Sequence, residues 1–346
     1  KPEIGGRFRS LKRSATVEMS ERVRVAKQQG RDVIGLASGD PNLPTDERII
    51  EEAYRSLKSG ATHYTSSLGE RALREAVARR ELQRAEASYD PADVIITPGG
   101  KFAVLTALMA LVDAGDEVLI PQPGWVSYGP CVRLCGGVPV AVNMLDRFDV
   151  TALERVCTSR TRAVIVNSPV NPTGRVLTRD EIKALVAMAE SRNIWIIFDQ
   201  VYADLTYNGA ITFPQAASRG YERTLVVDSL SKSFGMTGWR LGYLAMPPGM
   251  VSSVVKFIQH SIYCVPPFIQ AAGVRALELS DELQPRYRAH FQKRVRRAAE
   301  ALDKVAGIDC TIPEAGFFLF PRVQGDEAQI ARGWLACAYA PAGDRS

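Results

Sequence analysis

Ser229-Leu-Ser-Lys-Ser-Phe-Gly-Met-Thr-Gly-Trp-Arg-Leu-Gly242 decides how this chain is read. The apolar run Thr224-Leu-Val-Val-Asp228 precedes it and Leu241-Gly-Tyr-Leu-Ala-Met246 follows, so two strands are expected with a Gly-rich connection between them. The connection carries Lys232 and Arg240, eight residues apart. Loops held by a rigid sheet are where function concentrates, which makes both residues site candidates.

Outward from that stretch, short apolar runs alternate with amphipathic helical patterns from Val94 onward, the signature of βα units in a mostly parallel sheet. Strands are expected at Val94–Thr97, Glu117–Ile120, Val138–Val142, Ala163–Asn167, Ile194–Asp199, Leu225–Asp228 and Leu241–Met246. Helices are expected at Phe102–Val112 and Thr178–Ser191, the second opened by a Thr178-x-x-Glu181 capping box. Upstream, the pattern predicts a polar helix at Val17–Gln29, then a short strand from Val33 running into the loop Gly39-Asp-Pro-Asn-Leu-Pro44. A helix at Asp46–Ser59 and another opened by a Ser67-x-x-Glu70 capping box follow. Beyond Pro248 helical patterns run to about Val305, and Gly316-Phe-Phe-Leu-Phe320 is a late strand candidate. The expected fold class is α/β. A large domain at 46–248 holds a mostly parallel seven-stranded sheet, and a smaller α+β domain is built from both chain ends, 1–45 and 249–346.

The chain has 346 residues, 46% of them hydrophobic, enough for a large buried core. Lys plus Arg number 43 against 38 Asp plus Glu, a net charge of +5 that is dispersed along the chain. That mild basicity suits small anionic ligands and gives no nucleic-acid footprint, so no nucleic-acid partner is expected. Cys131, Cys135, Cys157, Cys264, Cys310 and Cys337 form no Cys-x-x-Cys pair, and only three histidines accompany them. No metal site or disulfide framework is expected, and scattered thiols in apolar segments place the protein in the cytoplasm. No apolar run is long enough for a bilayer and the N-terminus lacks a signal-like apolar region, so no membrane association is expected.

Four further motifs fall at predicted strand ends, where ligands bind in open α/β sheets. Thr97-Pro-Gly-Gly-Lys101 joins a strand to a helix, so backbone N–H groups and the helix N-terminus make an anion cradle. It is no Walker loop, since the Gly-x-x-x-x-Gly-Lys-Ser/Thr spacing is missing throughout the chain. Pro123-Gly-Trp-Val-Ser-Tyr128 offers an indole, Trp125, suited to stacking on a flat ligand. Asn167-Ser-Pro-Val-Asn-Pro-Thr-Gly174 ends a third strand ahead of a capped helix. Ile194-Trp-Ile-Ile-Phe-Asp199-Gln-Val-Tyr202 ends a fourth with an acid, which cannot be a Walker B aspartate without a Walker A partner.

Taken together, the order cradle, aromatic, asparagine, aspartate, lysine resembles the pyridoxal-phosphate (PLP) dependent class I and II aminotransferases, closest in pattern to the bacterial aspartate-aminotransferase-like group. The resemblance runs from Gly39 to Gly242. It implies that Lys232 forms a Schiff base with PLP, and that Arg240 pairs with the cofactor phosphate beside Ser229 and the Gly99-Gly100-Lys101 turn. By the same resemblance Trp125 lies on the pyridine face, Asp199 pairs with the pyridine nitrogen, and Tyr202 and Asn171 reach the phenolic oxygen. Asn171 and Gly39 are then the substrate-carboxylate contacts. Tyr64, in the segment Tyr64-Thr-x-x-x-Gly69, is the residue that reaches the phosphate of a neighbouring subunit in a homodimer. The implied reaction moves an amino group from an L-amino acid to a 2-oxo acid in two half-reactions. The same scaffold also supports lyases, cyclases and oxidases of amino acids, and PLP-binding regulators that carry a DNA-binding module, which is not seen ahead of this chain. The family's carboxylate-gripping arginine near the chain end has no match in the tail from Trp334 to Ser346, and Arg345 has no strand to hold it, so truncation is expected.

Overall fold

The computed structural model describes residues 5–9, 11, 13–36, 39–85, 89–145, 147–207 and 221–325. Before the sheet come α1 (Gly6–Arg9), α2 (Ala15–Gln28), α3 (Glu47–Lys58) and α4 (Arg71–Ala85). The sheet region runs β1 (Val94–Thr97), α5 (Gly100–Leu111), β2 (Glu117–Gln122), α6 (Tyr128–Leu134), β3 (Val138–Asn143), α7 (Val150–Val156) and β4 (Thr161–Asn167). It continues with α8 (Arg179–Arg192), β5 (Trp195–Asp199), β6 (Thr224–Ser229), α9 (Leu230–Ser233) and β7 (Gly242–Ala245). Then come α10 (Val251–Ser261), α11 (Pro267–Glu278), α12 (Ser280–Leu302), β8 (Ile308–Asp309) and β9 (Arg322–Val323).

The seven strands order as β1-β7-β6-β5-β4-β2-β3. β2, β3, β4, β5 and β6 pair in parallel, while β7 runs antiparallel between β1 and β6. The expected seven-stranded, mostly parallel α/β sheet is therefore present. Helices cover both faces, so β1 at one edge of the sheet and its neighbours β7 and β6 are buried at every position. Alternation splits each strand between two cores. Ile196, Phe198 and Val226 join Ile49, Leu73 and Leu185 on one face. Ile197, Leu225 and Val227 join Val104, Leu108 and Ile258 on the other. α10 and α11, which lie beyond the expected domain boundary at 249, pack on α5 and β1 and on α3 and α4 respectively.

The Thr178 capping box forms as read, with both reciprocal hydrogen bonds. Three local expectations do not hold. Residues 33–36 form no strand. The Ser67-x-x-Glu70 box is absent: α4 starts at Arg71, the Glu70 N–H donates to the buried Gln270 side chain at 2.6 Å, and its carboxylate accepts from Thr65. A tertiary partner has taken the N–H group that a local cap serves. Gly316–Phe320 is not a strand either, because Phe317 and Phe318 spend their faces on Tyr202 and on each other, while one bridge joins Ala315 to Thr206. The late strand is β9, paired with β8. Among the described residues no helix is long and apolar enough to cross a membrane. Cys131, Cys135, Cys157, Cys264 and Cys310 form no disulfide, and Cys337 and the tail from Trp334 lie outside the described residues.

Candidate active site

A cavity of about 660 Å³ opens where the parallel strands end. Gly39, Gly100, Lys101, Trp125, Asn171, Asp199, Tyr202, Ser229, Lys232 and Arg240 all line it, so residues spread over 200 positions of sequence converge as expected. Gly99 lies just behind the lining. Its φ of +84° favours glycine, and a Cβ there would stand 2.6 Å from an Arg240 guanidinium nitrogen. Gly242 is excluded from carrying a side chain for a different reason, since its Cβ would meet the Gly99 carbonyl carbon at 2.7 Å. The strand-to-helix turn before α5 and the Lys232–Arg240 connection are thereby pressed together. Tyr64 is outside the lining: its ring is 83% exposed and rests on Tyr263, centroids 4.7 Å apart.

α9 places the Lys232 amine inside the cavity, donating to the Gly39 carbonyl and 5.9 Å from the Phe317 ring centroid. Burial pushes its pKa down to about 8, helped by Arg240 and opposed by Asp40. Arg240 adopts φ 54° and directs its guanidinium to the carbonyls of Thr237 at 2.8 Å and Pro98 at 3.3 Å, at the N-terminal end of α5. The Ser229 hydroxyl caps α9 beside them. A helix N-terminus, a guanidinium and a hydroxyl at one end of a cavity form an anion site.

At the end of β5, Asp199 is 3% exposed, accepting from the Tyr128 hydroxyl at 2.7 Å and the Val201 N–H at 3.2 Å. Burial raises its pKa to about 6, with those two hydrogen bonds opposing the rise. The Asn171 amide donates to the Tyr202 hydroxyl at 3.4 Å, and burial raises the phenol well above its ordinary value. Trp125 stands edge-on to Tyr128, and the Lys101 amine lies 5.1 Å from the indole centroid. Two functional contacts escaped the reading of the sequence. Tyr128 ends the quoted Trp125 motif, and Asn167 begins the asparagine motif. The Asn167 side chain ties the Asp199 carbonyl (2.9 Å) to the Asn171 N–H (2.6 Å), bridging two strand ends.

An amine of lowered pKa, a buried acid held by neutral donors and an anion cradle surround one cavity with aromatic walls. That set fits a flat, anionic cofactor with a carbonyl and a ring nitrogen. Fold and cavity together point to a cofactor-binding α/β enzyme. The family model for aminotransferase class I and II matches residues 31–336. The chain is similar to the aspartate aminotransferase of Geobacillus stearothermophilus, 36% identical over 93% of this chain and 84% of that one. It is similar also to the aromatic-amino-acid aminotransferase 2 of Thermococcus litoralis, 36% identical over 84% of this chain and 77% of that one. In structure it is similar to the aspartate aminotransferase of Thermus thermophilus with maleate, at a TM-score of 0.92 and 31% identity over 98% of this chain and 90% of that one. The chain belongs to the class I and II aminotransferase family: it is a PLP-dependent aminotransferase, with an amino acid and a keto acid as substrates.

Proposed function

We propose that the cavity at the strand ends is the transamination site, with Lys232 as the covalent attachment point for PLP and the carrier of the proton at the amino acid's Cα. The observation that carries the reading is the Lys232 amine, half-buried in the cavity with its pKa lowered to about 8. An amine that titrates near neutrality can both give and take a proton at working pH. Bound PLP supplies an electron sink for the charge left when Cα loses its proton. Asp199, ionised above about 6, would hold a proton at the ring nitrogen. Asn171 and Tyr202 would hold the phenolic oxygen, and Trp125 would stack on the ring. Gly99, Gly100, Lys101, Ser229 and Arg240 would hold the phosphate, and the Gly39 backbone and Asn171 would orient the substrate carboxylate.

The active unit is a homodimer in this reading, with Tyr64 reaching the partner's phosphate site; its exposure and its distance from the lining of its own chain support that role. Scattered thiols that form no disulfide among the described residues support a cytoplasmic setting. Of the relatives' substrates, aspartate is the donor to offer first and an aromatic amino acid second. Borohydride reduction of the enzyme with PLP, followed by peptide mapping, is expected to label Lys232, and Lys232→Ala to abolish both label and keto-acid release. A label on another lysine overturns the assignment.

A further inference from the structure

Period-two alternation sends neighbouring residues at a strand end to opposite sides of the sheet. Asp199 and Ser229 line the cavity, whereas Gln200 and Asp228 turn to the face covered by α4. There Arg80, Glu81 and Arg84 of α4 meet them in one buried cluster. The Glu81 carboxylate accepts from Gln200 Nε2 at 2.9 Å, from the Tyr243 hydroxyl at 2.6 Å and from Arg84 Nη2 at 2.6 Å. Arg84 Nη2 also reaches Asp228 at 2.8 Å, and Arg84 Nη1 reaches Asp204 at 3.5 Å. Arg80 pairs with Asp204, which accepts from the Ser233 hydroxyl, and lies over the Phe234 ring at 5.4 Å.

The cluster is a poor device for stability alone. Three carboxylates face two guanidinium groups, and Arg80 Nε, Arg80 Nη1 and Arg84 Nε have no acceptor among the described residues. Desolvating such charges commonly offsets their attraction, so apolar side chains of the same size would stabilise the fold at least as well. What directional bonds supply and apolar packing does not is a fixed geometry. The cluster's contacts are the chain neighbours of the cavity residues: Gln200 follows Asp199, Asp204 follows Tyr202 by two, Asp228 precedes Ser229, and Ser233 follows Lys232.

We propose that the Arg80, Glu81 and Arg84 cluster of α4 is a positioning device that fixes Asp199, Tyr202, Ser229 and Lys232 relative to one another from the opposite face of the sheet. The inference rests on the reading of the cavity given above. Among the described residues, the ion pairs and hydrogen bonds of Arg80 and Arg84 reach Glu81, Asp204, Asp228 and Tyr243 and none of the cavity lining, so the three act through the residues they hold.

The test uses the holoenzyme carrying Arg84→Met, Arg84→Lys or Tyr243→Phe, held well below its unfolding midpoint. Three quantities are read: the visible circular dichroism per bound PLP, kcat, and KM for the amino acid. For Arg84→Met the dichroism weakens and kcat falls about 10²-fold, the scale on which an ångström of misplacement acts, with KM changed less. Arg84→Lys recovers part of both, because it keeps the charge and loses the planar fork. Tyr243→Phe removes one hydroxyl and shifts both readouts in the same direction, severalfold. Unchanged dichroism and kcat in Arg84→Met and Tyr243→Phe, with only the midpoint lowered, overturn the proposal. If Arg84→Met does not fold, Tyr243→Phe decides alone by the same criterion. A borohydride label away from Lys232 in the unsubstituted enzyme overturns the reading of the cavity, and this proposal with it, before any variant is compared.

Discussion

Asp199 and Asp228 end neighbouring strands, are 3% and 0% exposed, and both have their pKa raised by burial, yet they face opposite environments. Asp228 has the Arg84 guanidinium at 2.8 Å, the Tyr243 hydroxyl at 3.0 Å and the Ser229 N–H at 2.6 Å. Asp199 has a phenol and one N–H, and no cation pairs with it among the described residues. Burying a carboxylate is costly unless it is paired, so an acid left with neutral donors beside an open cavity is matched to a positive group on a ligand. The pairing partner distinguishes a carboxylate that organises the fold from one kept for chemistry.

Neutralising each acid in turn breaks the comparison most directly. Asp199→Asn keeps the Tyr128 contact and is expected to lower turnover by about 10²–10³-fold, the effect of removing one preorganised charge interaction. Its stability is expected to rise. A folded pKa of about 6 against an ordinary value of 3.8 means that the native state holds the proton more tightly than the unfolded chain. That carboxylate favours folding at low pH and disfavours it increasingly as pH rises from 4 through 6, and the amide removes this penalty at neutral pH. The same linkage acts on Asp228, whose carboxyl is also raised by burial, but Asp228→Asn takes a charged partner from the Arg84 guanidinium, a loss of about 1.5–3 kcal/mol that offsets the gain, so its stability is expected to end below that of Asp199→Asn. Urea unfolding beside initial rates separates the two; equal stability changes would erase the distinction.

The difference extends to the amine. With cofactor removed, Lys232 titrates at about 8, so its neutral, nucleophilic fraction is about a tenth at pH 7 and grows as pH rises. The rate of PLP capture is expected to climb about tenfold from pH 7 to 9 and to level off there, followed by the absorbance of the bound cofactor. A rate still rising at pH 10 would return Lys232 to the behaviour of a solvated lysine.

How much of this was legible in the sequence follows the same division. Strands buried on both faces are written as apolar runs, and motifs follow them at once, so position marked the segments while the family resemblance picked out Lys232, Asp199, Asn171 and the Gly99-Gly100 turn within them. Tyr128 could not be told from an ordinary helix residue, because its value lies in meeting Asp199, 71 positions away. No pattern in the sequence singles out Arg80, Glu81 and Arg84 within their helix; their roles come from side-chain bonds to Gln200, Asp228 and Tyr243. Ser67 and Glu70 carried a cap signal, and a glutamine 200 residues away overrode it. Local patterns specify local structure, and both the cluster and the failed cap depend on partners that no window along the chain contains.

The smallest effect is the one that measures how Asp199 is tuned. Tyr128 donates to the Asp199 carboxylate, which favours its charged form and holds its pKa below the value that burial alone would give. Tyr128→Phe removes that hydroxyl and leaves the ring against Trp125, so packing is largely preserved. The Asp199 pKa therefore moves up, and the acid limb of kcat/KM moves toward neutrality by about one unit, equivalent to the loss of one hydrogen bond to a charged group. The plateau rate above that limb is expected to change little, because at high pH the carboxylate is ionised in either enzyme. A limb that stays in place would mean that burial and the Val201 N–H set the acid without Tyr128, and a limb that moves down would reverse the sign assigned to Tyr128.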